Sequence, residues 1–238
     1  MGSWPRIAGL RVVMSWPDSE FAPPQAPRGQ ARIRLAGLLG ISLIAGGALA
    51  IVVALAAQVH APAPAAAAAG TTGRGGAKAP PLRQSLPVSV AIPAIGVRSR
   101  LLRVGLNPDG TIQVPSLVRS ADEAAWYKYS ATPGQPGTAV IEGHVDSYHG
   151  QAVFYRLGAL RPGNRIEVTL ADGVTAVFRV TGVREYAKDE FPAKIVYGQA
   201  GYPALRLITC GGDFDPATGH YLSSVVVFAS LDSVAHQS

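Results

Sequence analysis

A single cysteine in 238 residues leaves this chain no intramolecular disulfide and no zinc site built from several thiolates. Charge is scarce too, at 15% of residues, and aromatics make up only 7%. With 48% hydrophobic residues beside that low charge, wholesale disorder is excluded. The charge that is present leans positive, 21 Lys+Arg against 15 Asp+Glu, for a formal net charge of +6 and a pI near 9.7. A basic balance points to nucleic acid only when it lies on a folded domain. Here residues 1–86 hold 8 basic and 2 acidic residues (8 − 2 = +6), whereas residues 87–238 hold 13 of each. The excess sits in the N-terminal third, so no nucleic-acid partner is expected.

Residues 1–34 are polar, irregular and rich in proline, with no apolar periodicity, and are expected to be a disordered tail. Met14 is a second candidate start. Residues 35–57 (LAGLLGISLIAGGALAIVVALAA) carry no charge over 23 positions, enough for a helix to cross a hydrocarbon core of about 30 Å. The run exceeds the apolar region of a cleaved signal peptide, so an uncleaved transmembrane helix is expected. Arg32 and Arg34 at its leading edge place the N-terminus inside and the rest of the chain outside the cell membrane, as a single-pass protein. Residues 58–86, dominated by Ala, Pro and Gly, read as a linker with no core of its own.

From Pro87 the pattern changes to two-residue alternation. Ile166, Val168 and Leu170 alternate with polar residues, Ala171-Asp172-Gly173 turns the chain, and Val174, Ala176, Phe178 and Val180 return: a hairpin. Further strands are expected at Val88–Ile92, Arg100–Val104, Thr111–Val114, Thr138–Glu142, Leu205–Thr209 and Ser224–Ala229, with one short helical turn around Val153–Leu160. Many short strands punctuated by Gly and Pro suggest a closed β-barrel or sandwich over residues 87–238.

The sole thiol, Cys210, ends the largely apolar run Leu205–Thr209 and is followed by Gly211 and Gly212. A lone cysteine is commonly a small buried hydrophobe. A strand ending in cysteine and two glycines instead suggests a side chain at a rim, with backbone that a substrate can approach closely. A nucleophilic cysteine needs a base within reach. Of five histidines, His60 lies in the linker, His236 near the C-terminus, His149 in a loop and His220 in a turn; His144 closes the strand-like run Thr138–Gly143. Glu142 and Asp146, each two residues from His144, would share its face on an extended segment, where either carboxylate could orient the imidazole. Asp213, Asp215 and His220 resemble a metal cluster in isolation, but Asp and Gly in a turn explain them better. No metal and no cofactor are expected.

The segments VIEGHVDSYHGQAVFYRLGAL (140–160) and LRLITCGGDFDPATGHY (205–221) resemble the two signature regions of sortases, nearest to the class F sortases of actinobacteria, and KDEFPAKIVYG (188–198) is similar to the same class. The resemblance covers roughly residues 87–231. It implies an eight-stranded β-barrel with short helical turns, preceded by one transmembrane helix, that houses a cysteine transpeptidase. Cys210 would attack the Thr–Gly bond of an LPXTG-like sorting-signal peptide, and an amine acceptor of the cell wall or a protein would resolve the thioester. His144 would be the general acid/base, and Thr209 would help shape the substrate pocket.

One departure stands out. The resemblance implies an arginine near Tyr221–Ser224 that stabilises the oxyanion, and no arginine follows Arg206. Ser223, Ser224, the N–H of Gly211, or Arg184, expected in a loop, are the candidate replacements. Two other functions stay open at this point: a catalytically silent barrel that binds sorting signals, and another cell-wall cysteine transpeptidase.

Overall fold

The computed structural model describes residues 61–71 and 76–236. The expected tail and membrane span lie outside the described residues, within which no helix is long and apolar enough to cross a membrane.

The alternating segments form ten strands: β1 (Pro87–Ile92), β2 (Val97–Val104), β3 (Ala124–Tyr127), β4 (Gly137–Glu142), β5 (Asp146–Ser147), β6 (Gly150–Gln151), β7 (Arg165–Leu170), β8 (Val174–Ala187), β9 (Pro203–Asp215) and β10 (His220–His236). Eight of them close a barrel in the order β1-β2-β3-β4-β9-β10-β8-β7, while β5 and β6 make a separate small hairpin. The expected 166–180 hairpin is β7–β8. Gly173 turns it at φ 83°, and the Val174 N–H donates to Asp172 Oδ1. Closure leaves no barrel edge unpaired along these strands.

Inward residues of each strand make one core, with Val90, Ile92, Ile141, Ile166, Phe178, Leu205, Leu207 and Val227 among its members. β4 is buried at every position and β9 from Pro203 through Gly211. They pair in parallel, Gly137 with Pro203 through Glu142 with Ile208, and parallel strands covered on both faces carry near-continuous apolar runs. The outward face of this pair is where polar groups become buried.

Three sequence expectations need correction. Thr111–Val114 forms no strand, only an isolated bridge between Leu106 and Ile112, because Asp109 turns the chain by accepting from the Thr111 N–H and hydroxyl. The helical turn expected around Val153–Leu160 is present as a 3₁₀ turn at Leu157–Ala159, but a short helix α1 (Ala193–Tyr197), which no pattern announced, follows Pro192. The third concerns the stretch expected to be a linker with no core of its own.

Over its described part, that stretch lies against the barrel. Ala68 is fully buried in the core cluster, and Ala77, Ala79 and Leu82 pack onto it. The Thr71 N–H donates to the Thr181 carbonyl, Lys78 N–H to Leu231 and Leu82 N–H to Gly134. Two glycines make room for this strap. A Cβ at Gly158 would lie 1.8 Å from the Pro62 carbonyl oxygen, and one at Gly182 would lie 2.6 Å from that of Ala69.

Candidate active site

Cys210 lies inside β9 and is 1% exposed, so the thiol is not on the open rim that the sequence suggested. Alternation puts Leu205 and Leu207 in the barrel core and turns Arg206, Ile208 and Cys210 to the outer face. On that face Cys210 pairs with Ser224 of β10, and Ser224 pairs in turn with Tyr186 of β8. The glycines after the thiol form a β-bulge. Ser223 pairs with Gly211 but Tyr221 pairs with Phe214, so Gly212 and Asp213 together oppose Leu222. Gly212 adopts φ 73°, a left-handed conformation that glycine takes at little cost, and a Cβ there would meet Ser223 Oγ at 2.6 Å.

His144 follows β4 by two residues. The Gly143 N–H donates to the Ile208 carbonyl, carrying the parallel ladder one step past Glu142. Glu142 pairs with Ile208, so His144 and Cys210 each lie two residues beyond the last pair of the same parallel ladder. The imidazole is 1% exposed, and its Nε2 lies 2.5 Å from the Pro115 carbonyl oxygen. A carbonyl only accepts, so Nε2 carries the proton and Nδ1 is the basic nitrogen of the neutral ring. Burial lowers the His144 pKa below its ordinary value, and the bond to Pro115 opposes that shift only in part. The ring is therefore neutral at pH 7.

Both neighbouring carboxylates have other partners. Glu142 is fully buried on the outer face; burial raises its pKa to about 8, against the lowering effect of the Tyr197 hydroxyl, which donates to Oε1 at 3.5 Å. Its Oε2 has no hydrogen-bond partner. Asp146 accepts a short hydrogen bond from the Tyr221 hydroxyl. Burial raises the Asp146 pKa, and the same bond opposes the rise. Burial and Asp146 together raise that of Tyr221, with a smaller contribution from the nearby Cys210. In strand order β4-β9-β10, the Tyr221–Asp146 bond runs from β10 to the segment beyond β4 and so crosses the level of β9 just past the thiol.

The remaining candidates separate into near and far. Thr209 is buried beside Cys210 with an unpartnered Oγ1, while Gly211 packs so tightly that a Cβ would lie 2.7 Å from Val225 Cγ2. Ser224 and Ser223 flank the thiol across the β9–β10 ladder. Arg184 corrects the expectation of a loop: it sits on β8, two strands from β9, and donates to the Gly70 carbonyl of the strap. Asp215 accepts from the Ala217 N–H and the Thr218 hydroxyl and closes the β9–β10 turn. Among the described residues, no His/Cys/Asp/Glu group is arranged to hold a metal ion.

Sequence reasoning missed Tyr197, Tyr221 and the Pro115 carbonyl as partners of the site. It also missed Arg206, buried on the thiol's face with its guanidinium 4.5 Å from the Phe228 ring centroid. Each meets the site through tertiary pairing; Tyr197, Arg206 and Tyr221 lie within the family-like segments 188–198 and 205–221, but no periodicity or spacing there marks them.

Against known protein families, the profile of the sortase domain matches residues 90–232, more than half of the chain. Among solved structures, the fold is similar to sortase A from Listeria monocytogenes, with 15% identity over 66% of this chain and 92% of that one and a TM-score of 0.49. It is also similar to the SrtA sortase of Actinomyces oris, with 18% identity, 66% and 88% coverage and a TM-score of 0.46. Sortase C1 of Streptococcus agalactiae gives 16% identity, 66% and 74% coverage and a TM-score of 0.48. No curated protein matches the chain by sequence.

Proposed function

The chain belongs to the sortase family, whose members are cysteine transpeptidases, and from that premise we propose that it is a class F-like sortase with Cys210 as nucleophile and His144 as general acid/base. The observation that supports the assignment of residues is the parallel register of β4 and β9, which ends two residues before His144 on one strand and two before the only thiol on the other.

The chemistry follows from a neutral imidazole beside a thiol. Nδ1 takes the Cys210 proton as the sulfur adds to the scissile carbonyl carbon of an LPXTG-like signal, and the carbonyl π pair moves onto oxygen. The C–N bond then breaks, and the imidazolium returns its proton to the leaving amine. A thioester remains. An incoming amine adds to it, loses a proton to Nδ1 and expels the thiolate, which is reprotonated. Burial of both groups excludes water from the first step and strengthens the field at the oxyanion.

The uncharged run at 35–57 and the arginines before it support a single membrane anchor with the barrel outside the cell. The test uses the full chain in detergent with a fluorogenic LPXTG-like peptide. Turnover is expected in the wild type and absent in Cys210→Ala, and His144→Gln should lower it by at least about a hundredfold.

A second reading has one observation in its favour. β10 carries no arginine, and Arg184 faces the strap. A barrel that binds the peptide but never forms a thioester would fit that absence, and trapping the acyl-enzyme separates the two.

A further inference from the structure

A transpeptidase needs a place for its second substrate. The acyl group of the first would occupy the outer face of β4, β9 and β10, so the acceptor must arrive from another side. Directly after His144, the chain makes the β5–β6 hairpin, in which Asp146 pairs with Gln151. One side of this hairpin meets the thiol region, because Asp146 takes the Tyr221 hydroxyl. Its other side opens on a solvent-facing cleft of about 280 Å³. The cleft runs between the start of β2 and the segment 151–156, and its charged and polar lining is Arg98, Arg156, Asp122, Gln151 and Tyr155.

The connection to the thiol is continuous. Tyr155 lines the cleft, is hydrogen bonded to Gln151 and lies within electrostatic reach of Asp146. Asp146 holds Tyr221, whose phenol lies within electrostatic reach of Cys210. The backbone fixes this wall to the base as well: the Phe154 N–H donates to the His144 carbonyl and the Ala152 N–H to that of Val145. The segment 151–156 and the β5–β6 hairpin therefore lie between the cleft and the thiol region.

The lining also sets the chemistry of the occupant. Two guanidinium groups face one carboxylate, and among the described residues neither arginine is held in a salt bridge. Guanidinium forks match carboxylate and phosphate oxygens. Asp122 in the same cleft suits the ammonium group of an approaching amine.

We propose that the Arg98–Arg156 cleft is the acceptor subsite, and that it selects primary amines carried on a molecule with an anionic oxygen group, a carboxylate or a phosphate. The proposal rests on the sortase reading for its place in the reaction. The anion docks on Arg98 and Arg156, and the amine reaches past the hairpin to the thioester, where His144 takes its proton.

The experiment measures partition of the acyl-enzyme. The full chain in detergent is acylated on Cys210 in two ways, by an LPXTG-like peptide and by p-nitrophenyl acetate, and is then offered triglycine, triglycine amide or triglycyl aminoethyl phosphate. Triglycine should outpace its amide by about fivefold, an advantage that salt erodes. Triglycyl aminoethyl phosphate exceeding triglycine assigns the cleft to phosphate, and the reverse assigns it to carboxylate. Arg98→Ala and Arg156→Ala should each remove most of the advantage while leaving peptide cleavage and thioester hydrolysis within about twofold, a split that a merely structural role would not produce. Equal rates for triglycine and its amide in the wild type, or cleavage and transfer falling together in the arginine variants, overturn the proposal. The ester-loaded arm keeps the two claims apart: failure of the peptide to acylate Cys210 defeats the sortase reading, while charge selection on the acetyl-enzyme still decides the cleft.

Discussion

Glu142 sits between two opposing requirements at the scale of single residues. Its carboxyl is fully buried and holds its proton to about pH 8, whereas an unfolded chain releases that proton near 4.5. Across this interval the folded state binds the extra proton, so stability must fall as pH rises. His144 acts in the opposite sense. Its lowered pKa makes the unfolded state the better proton acceptor, and the stability it withholds in acid is recovered as pH rises to about 6.5. Between about pH 6.5 and 8 Glu142 therefore makes stability fall, at up to about 1.4 kcal/mol per pH unit, and the raised pKa of Asp146 acts in the same sense. Denaturant melts across that window should show the decline in the wild type and a clearly shallower one in Glu142→Gln. A wild-type profile that rises over the window would reject the assignment. Arg184 calls for a different comparison. Its donation to Gly70 ties the strap to β8, so Arg184→Ala should lower the melting temperature while leaving kcat within about twofold. A large loss of kcat at unchanged stability would instead give Arg184 a place in the reaction.

Among the elements, the strap and the bulge carry the strongest steric demands. Gly158 has room for no side chain because the Pro62 carbonyl fills the space where its Cβ would go. Gly158→Ala should cost about 1–3 kcal/mol, and most of that penalty should vanish in a fragment starting at Pro87, where Pro62 is absent. Thermal melts of the four proteins measure this directly. Gly212 is constrained by conformation as well as space: its positive φ sets the bulge next to Cys210, and Gly212→Ala should lower turnover by more than stability alone explains. The β7–β8 hairpin was legible in the sequence because its alternation and Asp-Gly turn are local signals. The strap was not. An Ala/Pro/Gly stretch reads as linker by composition, and what holds it are gaps at Gly158 and Gly182, some ninety or more positions away. Cys210 and His144 were legible through their flanking motifs, whereas their burial depends on the cover over the outer face, which no alternation pattern encodes.

For the molecule as a whole, the barrel is neutral and the N-terminal third basic, which fits the proposal that the one carries the chemistry and the other the attachment. The full chain should therefore sediment with membranes, and a fragment beginning at Ala61 should remain in the supernatant with its turnover intact. Shortening further to Pro87 should lower the melting temperature by several degrees, since Ala68 and its neighbours then leave core surface uncovered. The most direct test of the central claim is intact-mass analysis of the full chain mixed with an LPXTG-like peptide and quenched in acid. The account predicts an adduct equal in mass to the acyl half of the peptide, located on Cys210, discharged by an added amine and absent from Cys210→Ala. No adduct in the wild type, or an equal adduct in Cys210→Ala, would contradict it.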